Sequence, residues 1–423
     1  MKIFFSAGEP SGDLHGANLI RELRSRRPDL QAVGFGGPEM ATAGCDLHAD
    51  LTSLAVMWFL RAILNLHKFL HLASRADRYF RHQRPDAVVL IDFPGFHWWI
   101  ARRAKAHDIP VFYYAPPQIW AWGSWRVKKM RRFVDHVLAS LPFEARWLAE
   151  RGCKATFVGH PFFDEVARQQ LDADFVASHR DAARPLVLIL PGSRNQEVAH
   201  NLTDLLRAAK LVQAAVPTAR FAIGAFKPQH AETATKQVAA CGLAAEVFVR
   251  RTPELIELAD CCLAVSGSVS LELLNRAKPT VILYKISPLA HKVQSWFRHV
   301  RYITLVNLLA AKDIFFPPRP TNDQLATIAL EALFPEYLTC VDRSREIAAH
   351  LIGWLTDREQ RAKLVQRLEA LRDEVGQSGA AGRAAAILLA DVEARHPLAP
   401  RTHYSPGWTP AGEAHRRECR QAA

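Results

Sequence analysis

The chain opens on Lys2-Ile3-Phe4-Phe5, a β-branched and aromatic run that stops at Ser6-Ala7-Gly8-Glu9-Pro10-Ser11-Gly12-Asp13. From Leu14 to Leu23 apolar residues then recur at helical spacing. A strand feeding a small-residue turn and then a helix brings backbone N–H groups up to a ligand at the helix N-terminus. The turn lacks both the G-x-G-x-x-G spacing of a dinucleotide fingerprint and the Lys-Ser/Thr of a Walker loop. Its acids, Glu9 and Asp13, suit a hydroxyl-rich ligand better than a pyrophosphate.

The same pattern returns twice. Leu186 to Leu190 runs into Pro191-Gly192-Ser193-Arg194-Asn195-Gln196-Glu197, and Ala264-Val265 runs into Ser266-Gly267-Ser268-Val269-Ser270-Leu271-Glu272. Three such turns in two halves predict a ligand held in a cleft between two α/β domains. At 423 residues the chain is too long for one ordinary core. Near-continuous apolar strands alternate with helical stretches from Lys2 to Tyr284, as in parallel sheets covered on both faces. The polar stretch Leu171 to Arg184 marks the break. The expected organisation is a doubly wound domain over 1–170, a second over 171–394 that ends in three helices, and a disordered tail over 395–423.

Lys and Arg total 54 against 42 Asp and Glu, a net charge of +12 that attracts an anionic partner. The seven cysteines show no metal spacing and read as reduced thiols of a cytosolic protein. With a strand at Lys2, no signal peptide is expected. The greasy stretch Leu51 to Leu72 is broken by Arg61, His67, Lys68 and His71, and makes a poor membrane span. On a helical wheel Arg61, Asn65 and Lys68 share a narrow stripe, while Trp58, Phe59, Leu60, Ile63, Leu66, Phe69 and Leu70 spread over the rest. With the basic cluster Arg126 to Arg132, this suggests a dock on anionic lipid or a mouth for acyl chains; a buried core helix is the alternative. No nucleic-acid motif accompanies the basic cluster, so no nucleic-acid partner is expected.

Several side chains are placed for chemistry, each with a plainer alternative. Asp92 ends the strand Val88 to Ile91 and would face a cleft as a base, or cap the helix that Pro94 begins. Arg194 suits a diphosphate, or is a surface arginine. Ser266, Gly267 and Ser268 offer N–H groups for phosphate and Glu272 an acid for ribose hydroxyls, or they form a cap with a solvated acid. His160, in Gly159-His160-Pro161, is catalytic or structural. Trp120 and Trp122 stand in an aromatic, proline-containing loop that lines a substrate channel or packs its own domain.

Read together, these segments resemble the lipid-A-disaccharide synthases, a family of inverting glycosyltransferases. The matches run in order: Ala7-Gly8-Glu9-x-Ser11-Gly12-Asp13, Ala55-Val56-Met57, Ile91-Asp92-x-Pro94-x-Phe96, Pro117-x-x-Trp120-Ala121-Trp122, Leu141-Pro142-Phe143-Glu144, Gly159-His160-Pro161, Leu190-Pro191-Gly192-Ser193-Arg194-x-x-Glu197, Ser266-Gly267-x-x-x-Leu271-Glu272 and Asn307-Leu308-Leu309. The resemblance implies a GT-B fold, two Rossmann-like domains facing a cleft. It implies a UDP-2,3-diacylglucosamine donor, a 2,3-diacylglucosamine 1-phosphate acceptor and a β-1,6-linked product. It implies Asp92 as general base, or as the group that orients the nucleophile, and Arg194 at the leaving diphosphate. Ser193, Ser268 and Glu272 would hold UDP, Asn307 would serve the donor, and Glu9 would lie where the acceptor domain meets the cleft. No metal or other cofactor is expected. The resemblance further implies a peripheral, cytoplasmic place on the inner membrane, with the Trp58 to Leu70 patch facing anionic lipid, and a homodimer made by exchange of C-terminal parts.

The sequence departs from that family at Gly95, where an Asp is usual, at His97, where an Asn is usual, and at Trp58, where a Gly is usual. A Pro-Glu-x-Leu-Gln run survives as Pro335-Glu336-Tyr337-Leu338-Thr339, after extra residues over about Asp313 to Leu333. The rival readings are another UDP-sugar enzyme of the same fold with a lipid-linked acceptor, a UDP-sugar epimerase, and an inactive nucleotide-binding relative on a membrane surface.

Overall fold

The apolar runs form two parallel sheets. The first holds β1 (Lys2–Ala7), β2 (Gln31–Gly36), β3 (Asp46–Asp50), β4 (Ala87–Ile91), β5 (Val111–Tyr114), β6 (His136–Ala139) and β7 (Ala155–Phe157), in the order β3-β2-β1-β4-β5-β6-β7. The second holds β8 (Leu186–Leu190), β9 (Arg220–Ala225), β10 (Ala245–Val249), β11 (Cys261–Val265), β12 (Thr280–Lys285) and β13 (Glu336–Thr339), in the order β10-β9-β8-β11-β12-β13. The computed structural model describes residues 1–55, 66–290, 292, 299–317 and 321–395. The expected disordered tail beyond 395 lies outside the described residues, as do Trp58, Phe59, Leu60 and Ile63.

The strand order places the site. In each sheet it reverses beside one strand, between β1 and β4 and again between β8 and β11. Loops leaving the carboxyl ends there diverge and open a crevice. Pairing of Ala7 with Ile91 sets the Ser6–Asp13 turn beside Asp92. Pairing of Leu190 with Ala264 sets the Pro191–Glu197 turn beside Ser266 to Ser268. Close strand approach relies on Gly34, at φ +146, where a Cβ would run into the Phe5 carbonyl.

Two strands escape the apolar pattern. β3, Asp-Leu-His-Ala-Asp, is a polar edge strand whose pairing shifts register between Gly34 and Phe35. β13 has only four residues.

The chain does not divide in sequence order. The last described helix, Ala380–Arg395, expected in the second domain, packs on the first. Its Ala384, Ala385, Leu388 and Val392 are buried with Ala17, Ile20 and Leu23 of the Pro10–Arg26 helix. Small alanines let the two helices close, and polar ties fix the register. Asp391 pairs with His136 Nδ1 and Lys154 Nζ, both at 2.7 Å, and Arg383 Nε donates to the Val158 carbonyl at 2.7 Å. Asp164 accepts from the N–H groups of Ala380 and Ala381, both at 3.0 Å, so one interdomain crossing caps the other. Leu388→Ala is expected to cost about 2–5 kcal/mol in a denaturant melt, as a fully buried leucine does; no loss would mean the helix is not docked there.

Candidate active site

Asp92 and Phe93 are consecutive left-handed residues, φ +55 and +47, which costs roughly 1–3 kcal/mol each. The strain is held by contacts. The Phe93 ring covers Gly8, where a Cβ would overlap it. Tyr113 donates its hydroxyl to the Asp92 carbonyl at 2.6 Å, and His97 Nδ1 meets the same oxygen at 2.7 Å. The cap reading of Asp92 is not realised. Phe93 holds the N-cap position of the Pro94–Ala106 helix, and among the described residues the Asp92 carboxylate takes only the adjacent Phe93 N–H, at 2.9 Å. Burial raises the Asp92 pKa, against the pull of that N–H and of His15. The result is a better base than a solvated aspartate.

Asp92 opens on a cavity of about 820 Å³ between the sheets, lined also by His15, Trp120, Trp122, His160, Glu165, Arg194 and Ser266 to Ser268. A second cavity of about 730 Å³ shares Phe162, Arg194 and Ser266 to Ser268 with it, and continues past Ser193, Phe226, Lys227, Arg250 and Thr252 to Glu272. The two form one trough, with an acid at one end, a cation and small residues in the middle, and a buried acid at the other.

The cation is partly engaged. Arg194 is 78% exposed, and its NH1 meets Glu197 Oε1 at 2.9 Å. Glu197 Oε2 accepts from the N–H groups of Ser193 and Arg194 at 3.0 and 3.1 Å. An anion therefore already sits at the start of the Asn195–Ala215 helix. Glu272 is buried, which raises its pKa against the pull of Arg276. Its Oε1 has no hydrogen-bond partner among the described residues but lies 3.8 Å from the Arg276 guanidinium, an ion pair that fixes the carboxylate at the end of the trough.

A Cβ on Gly267 would meet nothing within 4 Å, so the backbone there borders open cavity. A ligand phosphate can approach that backbone closely. Gly267→Val is expected to weaken UDP binding by about 1–3 kcal/mol by intruding on this space, read by calorimetry; unchanged affinity would remove the loop from the nucleotide site.

A family model described as lipid-A-disaccharide synthetase matches residues 3–345. The chain belongs to this family. Its relatives include the lipid-A-disaccharide synthase of Trichlorobacter lovleyi, 32% identical over 93% of this chain and 98% of the relative. That of Anaeromyxobacter sp. is 33% identical over 92% and 97%. Among solved structures, a Neisseria meningitidis UDP-GlcNAc 2-epimerase bound to UDP-GlcNAc superposes with a TM-score of 0.57 at 13% identity, covering 93% of this chain and all of that one. MurG of Acinetobacter baumannii gives 0.56 at 12% identity, covering 92% and 99%. These likenesses show the GT-B fold that the two reversed sheets describe.

Seen as a lipid-A-disaccharide synthase relative, the chain brings most of its expected residues to the trough and withholds others. Asn307 stands apart from the trough lining. It is buried, its Nδ2 donates to the Phe334 carbonyl at 2.7 Å and to Glu336 at 2.9 Å, and its Oδ1 accepts from the Phe334 N–H at 2.9 Å. In this arrangement Asn307 braces β13 from within its own chain, and it lines neither of the two cavities. Phe69 is a correction. It packs half-buried on the Phe93 and Phe96 rings at 6.2 and 5.6 Å and is only partly exposed. Leu66 and Leu70, 48% and 43% exposed, do face out.

His160 Nδ1 accepts from the Phe162 N–H at 3.2 Å as a helix cap. Burial pushes its pKa down to about 3, which keeps the ring neutral with Nε2–H free to donate. Glu9 stands at the cleft rim, its pKa raised by burial and by Asp92 and lowered by Arg194. Trp120 is buried, its indole N–H held by Glu144 at 3.0 Å, while Trp122 is half exposed in the cleft.

The residue reading passed over the pair His15–Glu165, 3.0 Å apart beside Asp92, and Arg250 and Thr252 beyond β10. A polar pair on two helices 150 residues apart leaves no local pattern. The one available signal was positional: Arg250 and Thr252 follow a strand of the second sheet at its carboxyl end.

Proposed function

We propose that the chain transfers 2,3-diacylglucosamine from UDP-2,3-diacylglucosamine to the 6-hydroxyl of 2,3-diacylglucosamine 1-phosphate. The observation that carries this reading is the single trough that joins Asp92 to Arg194, Gly267 and Glu272 across the two switch points. Asp92 takes the proton of the acceptor hydroxyl as its oxygen bonds to the anomeric carbon. The bond from that carbon to the diphosphate breaks with inversion, giving a β-1,6 linkage. UDP departs with its charge met by Arg194 and the N–H groups at Ser266 to Ser268, and Glu272 holds the ribose. Arg194 and the Ser266 to Ser268 turn supply the compensating charge, and this reading invokes no metal. The test supplies both substrates with and without EDTA and detects tetraacyl-disaccharide 1-phosphate by mass spectrometry. Product that persists in EDTA supports the reading; absence of product from folded, UDP-binding protein refutes the acceptor half.

The site works at the surface of an anionic membrane, the cytoplasmic face of the inner membrane in this reading. No described helix is long and apolar enough to cross one. Exposed Leu66, Leu70, Trp99 and Trp125 support the surface placement, with Arg103 and Arg126 within 5.9 Å of the last two rings. Each basic residue near such a surface contributes about 1 kcal/mol. Leu70→Asp with Lys128→Glu and Lys129→Glu is therefore expected to lower binding to phosphatidylserine vesicles at least tenfold, and added salt to do the same; equal sedimentation would refute the dock. The expected exchange dimer would seat a second copy's C-terminal helix where Ala380–Arg395 lies, and mass measurement in solution tests it.

A further inference from the structure

Between the Asp92 turn and the floor of the first sheet lies a buried polar chain outside the trough. His97 stands on the Pro94–Ala106 helix with no solvent exposure. Its Nδ1 meets the Asp92 carbonyl at 2.7 Å, and its Nε2 meets the Ser6 hydroxyl of β1 at 3.0 Å. A carbonyl can only accept, so Nδ1 carries the proton and Nε2 accepts from Ser6. The ring is also wedged edge-on between Phe93 at 5.9 Å and Tyr113 at 6.0 Å. Burial drives its pKa down to about 3, so it stays an uncharged clamp throughout the working range. Its bonds end on the Asp92 main chain, on Ser6 and, more weakly, on the Tyr113 hydroxyl at 3.4 Å; among the described residues none of its hydrogen bonds reaches the cavity.

We propose that His97 is a positioning residue: with its proton on Nδ1, the tautomer the Asp92 carbonyl demands, it clamps that carbonyl and thereby aims the Asp92 carboxylate, while the Ser6 hydroxyl donates to Nε2 and holds the ring in place. This rests on Asp92 being the base. The turn needs such a clamp because two left-handed non-glycine residues in succession relax unless their surroundings hold them. A side-chain donor one bond beyond Cγ on the Nδ1 side is what the clamp requires. Asparagine supplies it and glutamine does not: its amide lies where Nε2 does.

The test measures kcat and KM of His97→Asn, His97→Gln and His97→Leu, with Asp92→Asn alongside and UDP affinity and melting followed separately. Glutamine and leucine are expected to lower kcat about 100-fold by misaiming the base, with donor KM and UDP affinity little changed; asparagine is expected to stay within about tenfold of the parent. Ser6→Ala, which leaves the buried Nε2 without its donor, is expected to fall between. Equal kcat for asparagine and glutamine, or parental kcat for leucine beside an inactive Asp92→Asn, overturns the clamp. Should leucine fail to fold, the asparagine–glutamine pair decides. Activity retained by Asp92→Asn overturns the reading of Asp92, and the clamp with it.

Discussion

Asp92→Asn is expected to lower turnover by about 10²–10⁴-fold, the usual worth of a positioned general base, with UDP affinity intact. The substitution separates chemistry from shape. The bonds that hold the turn, from Tyr113 and His97, end on the Asp92 carbonyl and not on its side chain. An asparagine therefore leaves the turn standing and removes only the basic oxygen. The pH profile sharpens the result. Burial raises the Asp92 pKa above the ordinary 3.8, so kcat/KM falls on the acid side as pH drops through that raised value. The limb must vanish in Asp92→Asn. It must survive in Glu9→Gln, because Glu9, beside Asp92 at the rim, also titrates upward. A limb that follows Glu9 would transfer the basic role.

Arg194→Gln is expected to lower kcat about 10²–10³-fold, the cost of losing one preorganised group from a developing charge. Lysine is expected to recover part, since it keeps the charge but not the fork that meets two oxygens. Loss of Arg194 also strands Glu197. That carboxylate then confronts the diphosphate with no guanidinium between them, as it does not in the parent. Arg194→Gln with Glu197→Gln should accordingly show a lower donor KM than Arg194→Gln alone. A double variant no better than the single would mean that Glu197 swings clear of the ligand.

The four loops of the trough were legible because each ends an apolar strand, and strand ends are where a parallel sheet binds. Asn307 was not. Its partners Phe334 and Glu336 lie well downstream, and only the folded chain shows that the amide is consumed by them. Phe69 failed for a related reason. A helical wheel shows that a residue is apolar, but not whether the next helix offers rings to receive it. His97 and Ser6 are 91 residues apart and look like fillers of a helix and a strand until β1 is set beside β4. The last helix was assigned by its neighbours in sequence, whereas its alanine face matched the first domain's helix.

That last helix also sets the order in which the molecule can be finished on a ribosome. The first sheet is complete in sequence by Phe157, yet one of its walls is supplied only by Ala380–Arg395. At about 5–20 residues per second, the nascent first domain spends on the order of ten to fifty seconds with Ile20, Leu23 and their neighbours uncovered. For that interval it is a client for whatever shields apolar surface in the cell, and a gene split after the first sheet would leave that client permanently exposed.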